Sequence, residues 1–188
     1  MRVLKGHGTE NDFVVIPDLD GAVQLTPELV RALCDRHAGI GADGVLRVVR
    51  SDKDADAEQY AADAEFFMDY RNADGSVAEM CGNGVRVFVR YLQRVSLVGQ
   101  DAAVATRGGV MRVRATIDGD ISVEMGRPRI LADRPVATAA LQPGSPAVVG
   151  PGTVVLMPNP HVVVPVTSEA ELAALDLTGA PGIEPPLP

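Results

Sequence analysis

Ala78-Glu79-Met80-Cys81-Gly82-Asn83-Gly84-Val85-Arg86 sets a cysteine against a glycine-bounded turn, and the pattern behind it decides the architecture. Val85, Phe88, Val89 and Leu92 recur at i, i+3, i+4 and i+7, the apolar stripe of a helix that runs to about Arg94. The two glycines permit a sharp turn and close backbone approach, so Cys81 is expected at the helix N-terminus. There, unpaired N–H groups and the positive end of the helix dipole stabilise a thiolate and a bound carboxylate alike. A buried structural cysteine beside a cap is the plain alternative. The glycines and Asn83 favour a reactive sulfur, suited to proton abstraction or nucleophilic attack.

Around this helix, strand and helix periods alternate, which reads as a mixed α/β arrangement. Residues 13–16 form a short apolar strand, then Thr26-Pro27 supplies a cap and a first-turn proline. Leu29, Val30, Leu33 and Cys34 share one helical face, which places Cys34 in the core, and Gly39 is expected to stop that helix. Residues 45–49 and 66–70 read as strands, the acidic residues 51–63 between them as a solvated loop, and residues 72–75 as a turn. Residues 110–117 and 121–125 flank Asp118-Gly119, a dipeptide of tight hairpins, and should be antiparallel neighbours. A second unit opens near Gly126-Arg127-Pro128. Its helix is announced by the capping box of Ser168-Glu169-Ala170-Glu171, with Leu172 and Leu175 as an apolar face and Gly179 and Pro181 as the stop. Residues 182–188 show neither period and read as a connection leading elsewhere, which suggests a truncated chain.

The chain has 188 residues and 46% hydrophobic content, ample for a packed core in one large domain, or in one domain and part of another. A formal charge of −8 argues against a nucleic-acid partner, whose recognition needs clustered Lys and Arg. No apolar run reaches the 18 residues of a membrane span, and Met1-Arg2-Val3-Leu4 leads directly into polar residues, so no membrane partner is expected. The two cysteines, Cys34 and Cys81, are too few for a disulfide framework and are expected to be free thiols in a cytoplasmic protein. Three scattered histidines and these two cysteines offer no metal-ligand spacing. Gly39-Ile40-Gly41-Ala42-Asp43-Gly44 looks superficially like a dinucleotide loop, but it follows a helix and precedes a strand, the reverse of the required order. The residues alone therefore imply a thiol-dependent, water-excluding site for a small carboxylate, with no metal or nucleotide site evident.

In these residues the chain resembles the diaminopimelate epimerases, which carry a Cys-Gly-Asn-Gly-(small)-Arg segment. Lys5-Gly6-His7-Gly8-Thr9-Glu10-Asn11-Asp12-Phe13 looks like that family's opening, and Asp35-Arg36-His37-Ala38-Gly39-Ile40-Gly41-Ala42-Asp43-Gly44 like its next signature. Tyr70-Arg71-Asn72-Ala73-Asp74-Gly75-Ser76 and Pro158-Asn159-Pro160-His161 complete the order. The likeness covers residues 1 to about 165, with residues 51–63 and about 131–152 matching poorly. Some family members have glutamine where this chain has Gly44, so a side-chain contact there is expected to be lost. Proline racemases carry histidine where Asn83 stands, and phenazine-pathway isomerases of similar fold lack the cysteine; both are weaker matches.

The resemblance implies an α+β fold, a mixed and mostly antiparallel sheet wrapped around a central helix. Residues 1–126 would be the first of two pseudo-symmetric domains and residues 127–188 an incomplete start of the second. It implies a cofactor-independent epimerase that interconverts LL- and meso-diaminopimelate, a precursor of lysine and the cell wall, by proton transfer between two cysteines on opposite faces of the α-carbon. Cys81 matches the first. The second lies in a Cys-Gly-Thr-Gly type turn preceded by a Glu-Arg pair, none of which occurs here, so this chain alone is expected not to complete epimerisation. By the same resemblance Asn11, Asn72, Gly82, Asn83 and Asn159 bind substrate, and His161 lies near the catalytic sulfur, tuning it or relaying protons. His7 and His37 read as structural or surface residues. Plain readings stay open beside these: Asn11 and Asn72 as turn residues, Asn83 as a cap. Two other functions stay open as well, a cysteine nucleophile working with His161 and a binding-only domain. The pattern leaves oligomeric state, including a homodimer, undetermined.

Overall fold

The computed structural model describes residues 1–116, 119–131, 136–141, 145–157, 159–176 and 182–184. They divide into two compact units, Met1–Met125 and Gly126–Pro188.

The first unit holds β1 (Leu4–Gly8), β2 (Asn11–Pro17), α1 (Pro27–Cys34), β3 (Gly44–Arg50), β4 (Phe66–Asn72), α2 (Gly82–Arg94), β5 (Asp101–Thr106), β6 (Gly109–Ala115) and β7 (Ile121–Glu124). The strands form one sheet in sequence order, with β2–β3 and β4–β5 parallel and every other neighbouring pair antiparallel. Side chains alternate across a strand, so each strand feeds both faces. Phe13, Val15, Leu46, Val48, Phe66, Met68, Val104, Met111 and Val113 pack with Val85, Phe88, Val89 and Leu92 of α2, which the sheet wraps. The alternate positions Val14, Ile16 and Val45 pack with Val30 and Cys34 of α1 on the opposite face. Burial on both sides explains why β2 and β3 read as unbroken apolar runs. Leu92 is fully buried, and its truncation to alanine would cost about 2–5 kcal/mol.

Thr26 caps α1 as expected, its hydroxyl accepting from the Leu29 N–H at 3.3 Å. The helix ends at Cys34, however, five residues before Gly39. Asp35 terminates it, taking an extended conformation and accepting from the N–H groups of His37 and Ala38 at 2.7 and 2.8 Å. Residues 39–42 then fold back to satisfy the last carbonyls of α1, with Ile40 and Gly41 both donating to Leu33 O.

The acidic stretch after β3 is not a freely solvated loop. It contains short 3₁₀ turns at Ser51–Lys53 and Glu58–Tyr60, and Ser51 and Ala57 are fully buried. Its acids are pinned from beneath: Arg47 bonds Asp54, and Arg107 bonds Asp56 at 2.7 Å. Both arginines converge on Asp69, which is fully buried and accepts from Arg47, Arg71 and Arg107 at 3.0, 2.9 and 2.8 Å. Burial pushes the Asp69 carboxyl up, but Arg107 and Arg71 outweigh it and hold the group below its ordinary range. Composition reported the acids; their arginine partners lie on β3 and after β5 and meet at Asp69 of β4.

Strands β6 and β7 are antiparallel neighbours, as the flanks of Asp118-Gly119 implied. Gly119 has φ +91, and Asp118 lies outside the described residues.

In the second unit, β9 (Val136–Leu141) pairs with β10 (Ser145–Pro151), and β13 (Leu175–Asp176) and β14 (Gly182–Glu184) also pair with β9. A separate sheet orders β12 (Asn159–Val163), β11 (Thr153–Met157) and β8 (Arg129–Ile130). Helix α3 (Glu169–Ala173) is capped by Ser168, which accepts from the Glu171 N–H at 3.1 Å, while the Glu171 carboxylate accepts from the Thr167 N–H at 2.6 Å. Two expectations need correction. Leu172 is exposed and Leu175 sits in β13 opposite Leu141, so the two do not form a helical face. The stretch read as an unpatterned connection supplies β14, because three residues suffice to extend a sheet edge without showing a period. Gly179, Pro181 and residues 185–188 lie outside the described residues. Among the described residues no helix is long and apolar enough to cross a membrane.

Candidate active site

Cys81 is the N-cap of α2, extended at φ −141, and its Sγ accepts from the Gly84 N–H at 3.4 Å. The sulfur therefore takes the capping place that a serine or aspartate oxygen usually holds. Gly82 and Asn83 occupy the next two positions, where a helix offers N–H groups without intrahelical partners. Cys81 is half-buried and Cys34 buried; both are free thiols.

The β1–β2 hairpin carries Asn11 to this helix end. Its two-residue turn, Thr9 and Glu10, has φ +51 and +66, a twist that suits tight hairpins but that a β-branched residue such as threonine rarely adopts. Asn11 Oδ1 accepts from Cys81 Sγ at 3.7 Å and from Asn83 Nδ2 at 3.4 Å. Asn11, Cys81 and Asn83 thus form one cluster, with Gly82 in its backbone. Asn83 does not cap the helix; its Oδ1 accepts from Arg86 and faces Thr9 Oγ1 at 3.2 Å.

Beside the cluster lies a charged brace. Asp43 accepts from Asn11 Nδ2 at 2.7 Å and from Arg36 Nη2 at 2.7 Å, and Arg36 also pairs with Asp12 at 2.8 Å. The Arg36 guanidinium outweighs burial and, with Lys5, holds the Asp12 carboxyl well below the usual carboxylate range.

Asn72 ends β4. Its Oδ1 accepts from the Tyr70 hydroxyl at 2.8 Å, and its Nδ2 donates to Ser76 Oγ at 3.0 Å. Burial, then the charge of Cys81, pushes the Tyr70 phenol up to about 12. Gly44 lies against the same tyrosine: a Cβ there would stand 2.7 Å from Tyr70 Cε2 and 2.5 Å from Arg71 O. The missing side chain at position 44 accordingly matches a backbone with no room for one.

Asn159 and His161 belong to the second unit. They lie two apart on β12, opposite Met157 and Val155, and so share one face of the strand; Asn159 is half-buried and His161 exposed. Pro158 of their motif lies outside the described residues. His7 and His37 are exposed. Among the described residues no cluster of three or more His, Cys, Asp or Glu is placed to hold a metal.

Asp43, Arg86 and Tyr70 were not singled out from the sequence. Each stands within a quoted motif, so the signal was present, but nothing in one dimension says that Asp43 meets Asn11 or that Tyr70 meets Asn72.

A curled sheet around one helix defines an α+β fold class that a solved structure also shows. A phenazine biosynthesis protein of the PhzF family from Bacillus anthracis shares this fold, with a TM-score of 0.59 over 94% of this chain and 60% of that one, at 17% identity. The family model described as diaminopimelate epimerase matches residues 3–131. Curated diaminopimelate epimerases are similar: that of Streptomyces coelicolor is 63% identical over 66% of this chain and 43% of its own length. Those of Thermobifida fusca and Rhodococcus erythropolis are 52% and 45% identical over 96% and 98% of this chain, and 65% of their own lengths. The chain belongs to the diaminopimelate epimerase family. It spans less than two thirds of the length of these relatives.

Proposed function

We propose that the protein is a cofactor-independent epimerase that interconverts LL- and meso-diaminopimelate, acting in the cytoplasm on the route to lysine and cell-wall precursors. Epimerisation removes the α-proton from one face and delivers a proton to the other. Cys81 exchanges the proton on one face. A second group serves the opposite face, and Cys34 is not that group: it is 5% exposed within an apolar cluster, and burial pushes its thiol up. The N–H groups of Gly82 and Asn83 receive the substrate carboxylate, so that charge developing at the α-carbon lies near the positive end of α2. Asn11, Asn72 and Asn159 bind the remaining polar groups of the substrate, and His161 relays or tunes the proton.

The observation that carries this reading is Cys81 Sγ at the N-cap of α2, 3.7 Å from Asn11 Oδ1, in a chain of this family. The test is solvent-deuterium incorporation at the α-carbon of LL- and meso-diaminopimelate, read by mass spectrometry. In the protein extended to the length of its relatives, Cys81→Ala should reduce exchange roughly 10³-fold, the scale of a lost general base. Undiminished exchange in that variant, or a trapped acyl-thioester in place of exchange, overturns the proposal.

A further inference from the structure

Two charged side chains terminate a run of two carboxamides at the candidate site. Arg86 has only donors, and it donates to Asn83 Oδ1 and, at 3.1 Å, to Thr9 Oγ1. This turns the Asn83 Nδ2 group to Asn11 Oδ1, 3.4 Å away. At the other end the Asp43 carboxylate has only acceptors, and Asn11 Nδ2 donates to its Oδ2 at 2.7 Å. Asp43 is itself immobilised: the Asp12 N–H donates to Oδ2 at 3.0 Å and Arg36 Nη2 to Oδ1 at 2.7 Å. A carboxamide has nearly the same shape either way round, so its orientation is decided by such partners. With its amino end committed to Asp43, Asn11 presents its carbonyl oxygen to Cys81 Sγ at 3.7 Å.

We infer that Asp43 is a positioning residue that fixes the Asn11 carboxamide so that an acceptor, and not a donor, faces the Cys81 sulfur. The acceptor engages the S–H of Cys81 and offers a seat to a hydrogen-bond donor of the substrate. Arg86 fixes Asn83 in the complementary sense, so the direction of every hydrogen bond from Arg86 to Asp43 is set by charge at its ends. This rests on Cys81 being the reactive atom proposed above.

The test is the rate of iodoacetamide alkylation of Cys81 in the folded protein at neutral pH, read by mass spectrometry of the Cys81 peptide. In Asp43→Ala the Asn11 amide is free to turn its N–H groups to sulfur and stabilise thiolate, and alkylation should accelerate about fivefold, the worth of one hydrogen bond of about 1 kcal/mol. The same change made in an Asn11→Ala background should accelerate it less than about twofold, since Asp43 acts through Asn11. Asp43→Asn keeps the side-chain shape and an oxygen for the Asp12 N–H, and should give a smaller rise in the same direction if the alanine variant does not fold. Arg36→Gln removes one of the two groups that immobilise Asp43 and should give a smaller rise in the same direction. Equal acceleration by Asp43→Ala in both backgrounds, or no acceleration by Asp43→Ala in the folded protein that carries Asn11, overturns the inference and leaves the epimerase reading intact. A Cys81 inert to alkylation in every variant overturns both.

Discussion

The two cysteines sit at opposite ends of their helices. Cys34 is the last residue of α1, buried among Val14, Ile16, Val30 and Val45, and Cys81 is the N-cap of α2, half-buried, with a backbone N–H on its sulfur and a carboxamide beside it. A helix C-terminus presents the negative end of the dipole and an apolar core presents no donors, so both features of the Cys34 site disfavour a thiolate, and burial pushes its thiol up. The N-terminus of α2 presents the positive end and open N–H groups. Identity of side chain thus says little about reactivity; position along the helix and exposure say most of it.

The strongest way to break this contrast is competitive labelling. Iodoacetamide on the folded protein should modify Cys81 at least roughly 100-fold faster than Cys34, because Cys34 must wait for local opening of α1 from the sheet. Comparable rates would end the comparison. A substitution sharpens it next: Cys34→Ser places a hydroxyl among apolar side chains and should lower unfolding free energy by about 2 kcal/mol in urea titrations, leaving Cys81 labelling unchanged. The smallest effect concerns Tyr70. Its ultraviolet ionisation should have a midpoint near 12, late for a tyrosine, and should move to lower pH in Cys81→Ala. A folded value above the ordinary one means that this phenol contributes stability below the unfolded value, near pH 10, and that the contribution is lost as pH rises through about 12. A midpoint near 10 would show that the tyrosine beside the sulfur is not desolvated.

Much of the first unit was legible because its signals are local. Thr26-Pro27 announces the start of α1, and the stripe Val85, Phe88, Val89 and Leu92 announces α2 and the end that carries Cys81. The apolar runs in β2 and β3 announce strands covered on both faces. Long-range pairing was not legible. Strand β1 has an alternating half-buried pattern broken by glycines, and β5 pairs in parallel with β4 across the whole of α2, so neither shows in a window of a few residues. The acidic stretch misled for the same reason, since Arg47 of β3 and Arg107 of the turn after β5 hold it. In the second unit Leu175 fits a helical period with Leu172, yet pairing with β9 decided its conformation.

At the site the division is similar. The sequence by itself determined that a cysteine stands at a helix N-terminus among glycines and asparagines, because capping and helix periodicity act over three or four residues. It also carried the motifs that mark the family. Only the tertiary structure decided that Asn11 crosses 70 positions to reach Cys81, that Asp43 turns the Asn11 amide, and that Tyr70 holds Asn72. Those contacts depend on strand register and on the direction of hydrogen bonds. Both are set by the folded sheet around α2, with no trace in the spacing of residues along the chain.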